Sequence, residues 1–540
     1  MKKTKWFVLA ASLLLAAAFA LAGCAGVGKL YDEKYVAPSV TKTDLTALDG
    51  YALTGSTGSS YAIDAFGLFS AYKADTDGTT TYVLYDAETN AVVAQTTETG
   101  GFAKIADGLY RVTLLPDAAE GETSYQFYGK SGLVYTAAGD DGTYKDGVLA
   151  FRDGTILVVG IDGTVTQSSY GFDPVFAPAA CTKRGDVYVE SVTGSVYRVW
   201  KENGKLARTV KVFEELGIPS AAEIMATFDV GSSMVLQYRV LLPDDASRYD
   251  LIYYMKEGES VSAVKGDLIT KRYDFASGKV SEYNFDFLIE DVDPLTYTDE
   301  AVIVYGNPIE DRQLVEKASM RIIGANCKDV VDVQGILPGA TDIAESGPYI
   351  VVTDGASRAV FENGKHLATV DASVQFAGGF FYRQIGSNCV YYDAEGNKVL
   401  EGTTNGGDAG DKVLMSSAPA NGILYYSVTG EGETPVTNIY SYTLEGGEKL
   451  LGEAAYGSGF VGFVFVKGSS ADAYTVYLQG FEEAILSNVA VDGMDIAFAA
   501  SGISEAAGAG YTILRYKVKN GEELVDKYLL LRLTGSDYAA

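Results

Sequence analysis

Along most of the chain, short runs rich in β-branched and aromatic residues alternate with polar positions and break at Gly, Asn or Asp, the signature of strands joined by tight turns. "TILVVGIDGTVTQSS" (from Thr155) sets two such runs around Asp162-Gly163, and "SVYRVWKENGKLARTVKV" (from Ser195) does the same around Asn203-Gly204. The device recurs in "YVLYDAETNAVVAQTTE" (from Tyr82), "KRYDFASGKVSEYNF" (from Lys271), "SRAVFENGKHLATVDA" (from Ser357), "CVYYDAEGNKVLEGTT" (from Cys389), "NIYSYTLEGGEKLLGEA" (from Asn438) and "TILRYKVKNGEELVDKYLLL" (from Thr512). Asn363-Gly364 and Asn520-Gly521 mark two of these turns. Such dipeptides accept the positive φ angles that two-residue hairpin turns demand. The pattern predicts a succession of antiparallel hairpins.

Turn glycines set the scale of the repeat. Gly163 to Gly204 spans 41 residues, and Gly204 to Gly278 and Gly447 to Gly521 each span 74. A unit near 40, or near 70 with two hairpins, matches the spacing of four-stranded propeller blades. The expected fold is therefore all-β: a single β-propeller over residues 56–540 with about seven four-stranded blades, six or eight being open, and tandem β-sandwiches the alternative. "KYLLLRL" (Lys527 to Leu533) is apolar on both faces and is expected to pair with a strand from the start of the body, closing the circle. Short helices are expected within Val212 to Phe228 and Ile309 to Met320. A doubly wound α/β protein, the build of solute-binding proteins of transporters, would need a helix after nearly every strand, and that pattern is missing.

The first residues address the protein. Lys2, Lys3 and Lys5 precede an apolar run that reaches Leu21, broken only by Ser12, which is the layout of a secretory signal. No basic stop-transfer cluster follows. Leu21-Ala22-Gly23-Cys24 resembles the lipobox of bacterial lipoproteins. That resemblance implies a signal peptide over 1–23, cleavage before Cys24, a diacylglycerol on the Cys24 thiol and an acyl chain, such as palmitate, on the new amino terminus. Two or three acyl chains make a durable anchor where one is marginal. Residues 24–55 then read as the lipidated N-terminus and tether. The expected location is the extracytoplasmic face of a bacterial membrane, either the cell membrane or an outer membrane.

Charge narrows the partners. The chain has 42 basic and 71 acidic residues, a net −29 that becomes −32 once the signal lysines are removed. Such a surface repels phosphate backbones and excludes nucleic acid as a partner. Acids of this number keep an exported protein soluble. Hydrophobic content of 47% supplies a large core. Besides Cys24 there are only Cys181, Cys327 and Cys389, which permit at most one internal disulfide and show no metal-type spacing. All three are expected as buried structural thiols.

No catalytic motif emerges. His366, in "ENGKHLAT", is the one histidine and is expected as an exposed strand-end residue. HExxH, GxSxG and P-loop patterns do not occur. "KADTDGTTTY" (Lys73 to Tyr82) and "YYDAEGNKV" (Tyr391 to Val399) are similar to calcium loops in their oxygen-bearing residues, but lack the closing bidentate Glu and read as structural turns. The 38 tyrosines suit strand positions, and some suit stacking on sugars or partners. No catalytic, cofactor-binding or metal residues are assigned. The expected role is binding or scaffolding through propeller loops, with a protein or glycan partner at the cell envelope and the membrane contacted through the lipid. The alternative is a carbohydrate-active hydrolase or lyase using paired carboxylates in the propeller channel.

Overall fold

Alternation along the chain becomes strand. Tyr349–Thr353 alternates half-buried and buried residues, and Lys365–Asp371 alternates exposed and half-buried ones, the period of two that a pleated backbone imposes. A computed structural model describes residues 36–53, 63–116, 122–171, 173–220, 222–240, 268–283, 285, 287–295, 300–310, 313–314, 319–328, 330–362, 365–453, 463–467, 473–490, 498–499, 509–520 and 523–535. Among them the chain is all-β, with one single-turn helix, Val212–Glu215, and two 3-10 turns. The segment read as a signal peptide and Cys24 lie outside the described residues.

The strands form ten sheets, most of them four-stranded antiparallel meanders whose strands follow one another in sequence, the blade unit of a β-propeller. One eight-stranded sheet is two such meanders joined by a single parallel pair, Thr403 with Val413. The described residues thus carry eleven meanders where about seven were expected. The 41-residue interval from Gly163 to Gly204 measures one meander. The 74-residue intervals hold either one meander with a long connection or two.

The chain divides into two compact units, one of Tyr35–Lys183, Tyr188–Thr209 and Ala377–Ala540, the other of Arg184–Val187 and Val210–Phe376. In the first, consecutive meanders pack face to face. Leu68 and Leu84 of the first meander share a core with Tyr110, Val112 and Tyr128 of the second. Leu109 and Phe127 of the second share another with Leu149, Leu157 and Val159 of the third. The terminal sheet has a core on each side. Tyr511, Ile513, Tyr528 and Leu530 face the first meander, while Leu514, Tyr516, Leu529 and Leu531 face Phe465, Val476 and Ile485. A β-sandwich buries one face of each sheet; these middle sheets bury both. Face-to-face packing on both sides is the propeller arrangement and disfavours the sandwich alternative.

The pairing expected for the terminal strand is present. Glu523–Thr534 lies antiparallel to Ser39–Asp44 from Ser39 opposite Thr534 to Asp44 opposite Leu529, and to Ala509–Asn520 on its other edge. The folded body consequently begins inside the segment read as a tether. "SVTKTD" is polar because the strand is an edge with mostly exposed side chains, so no apolar period announces it. Ala52–Leu53 also pairs, with Leu68–Ala74.

Two further expectations change. Only Val212–Glu215 of the segment to Phe228 is helical, and Ala222–Val230 is strand. Gly217 at φ +61° and Pro219 stop the helix after one turn. Where a helix was expected over 309–320, Ala301–Glu310 runs into a strand pair, with Ile309 opposite Leu314 and Glu310 opposite Gln313. The turns at Asp162-Gly163 and Asn203-Gly204 are three-residue loops. The Gly163 amide bonds the Gly160 carbonyl at 3.1 Å and the Gly160 amide bonds the Thr164 carbonyl at 2.7 Å, so positive φ is needed only at the glycine. The Asn203 loop repeats this between Lys201 and Lys205. Asn363-Gly364 and Gly521 lie outside the described residues. A true two-residue turn is Asp146-Gly147, with φ of +49° and +80°, between Lys145 and Val148.

Glu88 ties three sheets together. Its carboxylate accepts Lys130 Nζ at 2.7 Å and the Tyr511 hydroxyl at 3.0 Å, with Arg532 at 3.8 Å. Partial burial pushes the Glu88 carboxyl up, and the Lys130 bond and charge, Tyr511 and Arg532 outweigh it, leaving a value below the ordinary one. A depressed folded value means the contribution is present above the unfolded pKa of about 4.3 and is lost as pH falls through the folded value. With the side chain 36% exposed, screening holds the effect to about 1 kcal/mol or less. Glu88→Gln is therefore expected to lower the denaturation midpoint modestly at pH 8, where the ionised Glu88 contributes, and to converge with wild type below about pH 4.5, which flattens the acid limb. An unchanged acid limb would refute the linkage.

Candidate functional site

A cleft of about 920 Å³ opens between the third meander (Thr143–Lys145, Val148–Ala150, Thr155–Val159, Val165–Ser169) and the fourth (Cys181–Arg184, Val187–Thr193, Val196–Lys201, Leu206–Lys211). Its size falls in the range of small-molecule sites. The connecting segment contributes Tyr170, Asp173 and Ala177 to its walls. Gly147 lets the Asp146 turn approach this segment: a Cβ there would sit 2.9 Å from the Ala179 Cβ.

Polar groups converge inside. Arg198 and Trp200 stand two apart on one strand and so share a face. Arg198 Nη1 donates to Glu190 Oε1 at 3.0 Å and the Trp200 indole Nε1 donates to Oε2 at 3.0 Å. Phe176 packs against both Trp200 and Tyr188, each with ring centroids 5.4 Å apart, which fixes the indole. Glu190 is thus an oriented acceptor with both oxygens engaged. Lys145 and Asp146 stand at the rim, and Tyr170 exposes 76% of its surface there. Cys181 also lines the cleft and its thiol points to the Ala177 carbonyl at 3.3 Å. Burial, then the Glu190 charge, pushes that thiol up to about 12, which keeps it protonated and unreactive at neutral pH.

The residues singled out in the sequence do not gather here, Cys181 excepted. Cys327 and Cys389 are buried in the cores, with thiols raised by burial, Cys327 to about 11. Cys181 departs from the expectation by being only half-buried, because it borders the cleft. His366 is half-buried on Lys365–Asp371, with Nε2 2.9 Å from the Thr369 hydroxyl and its ring 5.6 Å from Phe361. It takes part in strand packing. In the two loops similar to calcium sites, the oxygens serve their own turns. Asp77 accepts the Thr79 amide at 2.9 Å and Asp75 the Thr81 hydroxyl at 3.1 Å. Asp393 accepts the Asn397 amide at 2.7 Å. Tyrosine supplies much of the core: Tyr85, Tyr238, Tyr273, Tyr391, Tyr426 and Tyr511 are six of the twelve largest fully buried side chains among the described residues.

Sequence reasoning did not find Glu190, Arg198 or Tyr170. "YRVW" carries the clue, since Arg198 shares its strand face with an aromatic, but the partner across the strand follows from register alone. Nor did it find Asp64, which is 1% exposed and accepts the amides of Phe66 at 2.9 Å, Leu68 at 2.8 Å and Gly108 at 2.7 Å. Burial raises its carboxyl and those bonds oppose the rise. With its acceptors spent on backbone of two meanders, Asp64 is structural.

No protein-family model matches the chain, and no curated protein matches it. Among solved structures it is similar to the β-propeller domain of the Trilobed protease from Pyrococcus furiosus, described as having an open velcro topology, at 10% identity over 71% of this chain and 94% of that one, with a TM-score of 0.18. It is also similar to KlHsv2 with loop 6CD replaced by a Gly-Ser linker, at 7% identity over 57% of this chain and 93% of that one, with a TM-score of 0.20. At such TM-scores the likeness bears on neither the site nor the role.

Proposed function

We propose that this is a lipid-anchored binding or scaffolding protein of the bacterial cell envelope, held at the extracytoplasmic face through Cys24 and recognising its ligand by shape and polar complementarity in the cleft between the third and fourth meanders. The anchor is supported by the Leu21-Ala22-Gly23-Cys24 motif at the end of an apolar run. The observation that carries the binding role is Glu190. Its two oxygens are committed to Arg198 and Trp200, an arrangement that positions a polar group and leaves it poorly suited to act as a free general acid. The −29 charge favours a partner other than nucleic acid.

The anchor has a direct test. In a bacterial host fed alkyne-palmitate, the wild-type chain is expected to take up label and Cys24→Ala to take up none, with diacylglycerol found on the amino-terminal peptide by mass spectrometry. An unmodified thiol at the mature start would overturn it. The binding role is tested by incubation with glycans: turnover that falls with Asp146→Asn or Asp173→Asn would replace it with the hydrolase or lyase alternative.

A further inference from the structure

Four of the five charged side chains lining the cleft pair with one another, Arg198 with Glu190 and Lys145 with Asp146. The Arg198 guanidinium faces Glu190 at 3.0 Å, so an incoming anion must displace a tethered carboxylate on a chain of net charge −29. An incoming cation must likewise compete with Arg198 for Glu190 and with Lys145 for Asp146. An uncharged ligand pays neither penalty. Hydroxyl groups suit what is left over: a guanidinium has five N–H donors, of which one here goes to Glu190, and a carboxylate has about four lone-pair positions, of which two are taken. One hydroxyl both donates and accepts, so it can bridge the pair without breaking it. Trp200 and Phe176 hold Glu190 before any ligand arrives, and fixing the geometry beforehand lowers the ordering cost of binding. At the rim, the exposed Tyr170 offers an apolar ring with a polar tip.

We propose that the cleft binds a neutral oligosaccharide, with ring hydroxyls bridging the Glu190–Arg198 pair and one sugar face stacked on Tyr170. This rests on the reading of the cleft as the binding site. The test is calorimetry on the full chain in detergent with maltotetraose, cellotetraose, xylotetraose, mannotriose and chitotriose, beside the anionic probes trigalacturonate and glucose 6-phosphate. At least one neutral probe is expected to bind and no anionic probe to compete. Arg198→Met is expected to weaken that binding by tenfold or more, since hydrogen bonds to charged groups contribute about 1.5–3 kcal/mol and each 1.4 kcal/mol is tenfold. Tyr170→Ala, at an exposed position that leaves the fold intact, is expected to weaken it several-fold. Binding of the anionic probes alone, lost in Arg198→Met, would overturn the neutral-saccharide proposal and leave the cleft as the site. Absence of binding by every probe, or binding indifferent to both substitutions, would overturn the proposal together with the cleft reading.

Discussion

Leu531→Ala is expected to destabilise the unit that carries it by about 2–5 kcal/mol, the range for emptying a leucine-sized space in a close-packed core. Leu531 has no exposed surface. On Glu523–Thr534 it lies opposite Lys42 on one side and Thr512 on the other, and its side chain sits with Phe465, Val476, Ile485, Leu514 and Tyr516. Its neighbour Leu530 points to the other core, with Tyr511, Ile513 and Phe69. One strand thus holds two inter-sheet cores, and loosening it weakens the pairing of the two ends of the described chain. With urea slopes of about 2 kcal/mol per molar, the midpoint should fall by about 1–2.5 M. Leu450→Ala, at a residue 57% exposed, should move it by a small fraction of that. Equal effects of the two substitutions would mean that the terminal sheet is not buried on both faces.

What the sequence disclosed follows from the range over which each signal acts. Hairpins were legible because alternation and turn chemistry are local: "TILVV" and "TVTQSS" read as strands by themselves, and Gly163 marks the turn between them. The terminal strand was legible because a run apolar on both faces has few other uses. Its partner was not. Ser39–Asp44 is an exposed edge strand, and its polar side chains carry no imprint of the backbone bonds that hold it. The segment 309–320 misled because Glu and Leu at helical spacing are weak evidence against a neighbouring strand that continues through Glu310. Meander number was obscured by unequal connections, such as the one separating Val240 from Leu268. The cleft was hidden for a related reason. Glu190 and Arg198 are unremarkable strand residues until register sets them face to face, and Tyr170 is one tyrosine of 38 until its exposure sets it apart.

Gln237→Leu is expected to cost about 2–6 kcal/mol, because it leaves two buried backbone groups without partners, each worth about 1–3 kcal/mol. Gln237 is wholly buried on Ser233–Val240. Its Nε2 donates to the Phe287 carbonyl at 3.0 Å and to the Thr270 hydroxyl at 3.3 Å, while Oε1 accepts the Ile289 amide at 2.8 Å. Phe287–Pro294 is the outer strand of the next meander, paired with Ala301–Glu310 on its other side. The amide therefore does for that edge what a neighbouring strand would do, and it does so beside a core of Phe228, Val235, Phe287 and Val304, where an unmet backbone group is costly. Leucine fills the same volume and supplies neither bond. Gln237→Glu separates the two roles: the carboxylate still accepts from Ile289 but repels the Phe287 carbonyl oxygen, whereas the protonated acid can donate to it. Its folded pKa is then raised, so the variant's deficit is expected to be largest at pH 7 and to shrink as pH falls and the acid takes up its proton. Hydrogen exchange at the Ile289 amide gives a local readout, expected to accelerate in Gln237→Leu at neutral pH. An Ile289 amide protected equally in wild type and Gln237→Leu would show that the side-chain amide does not hold this edge.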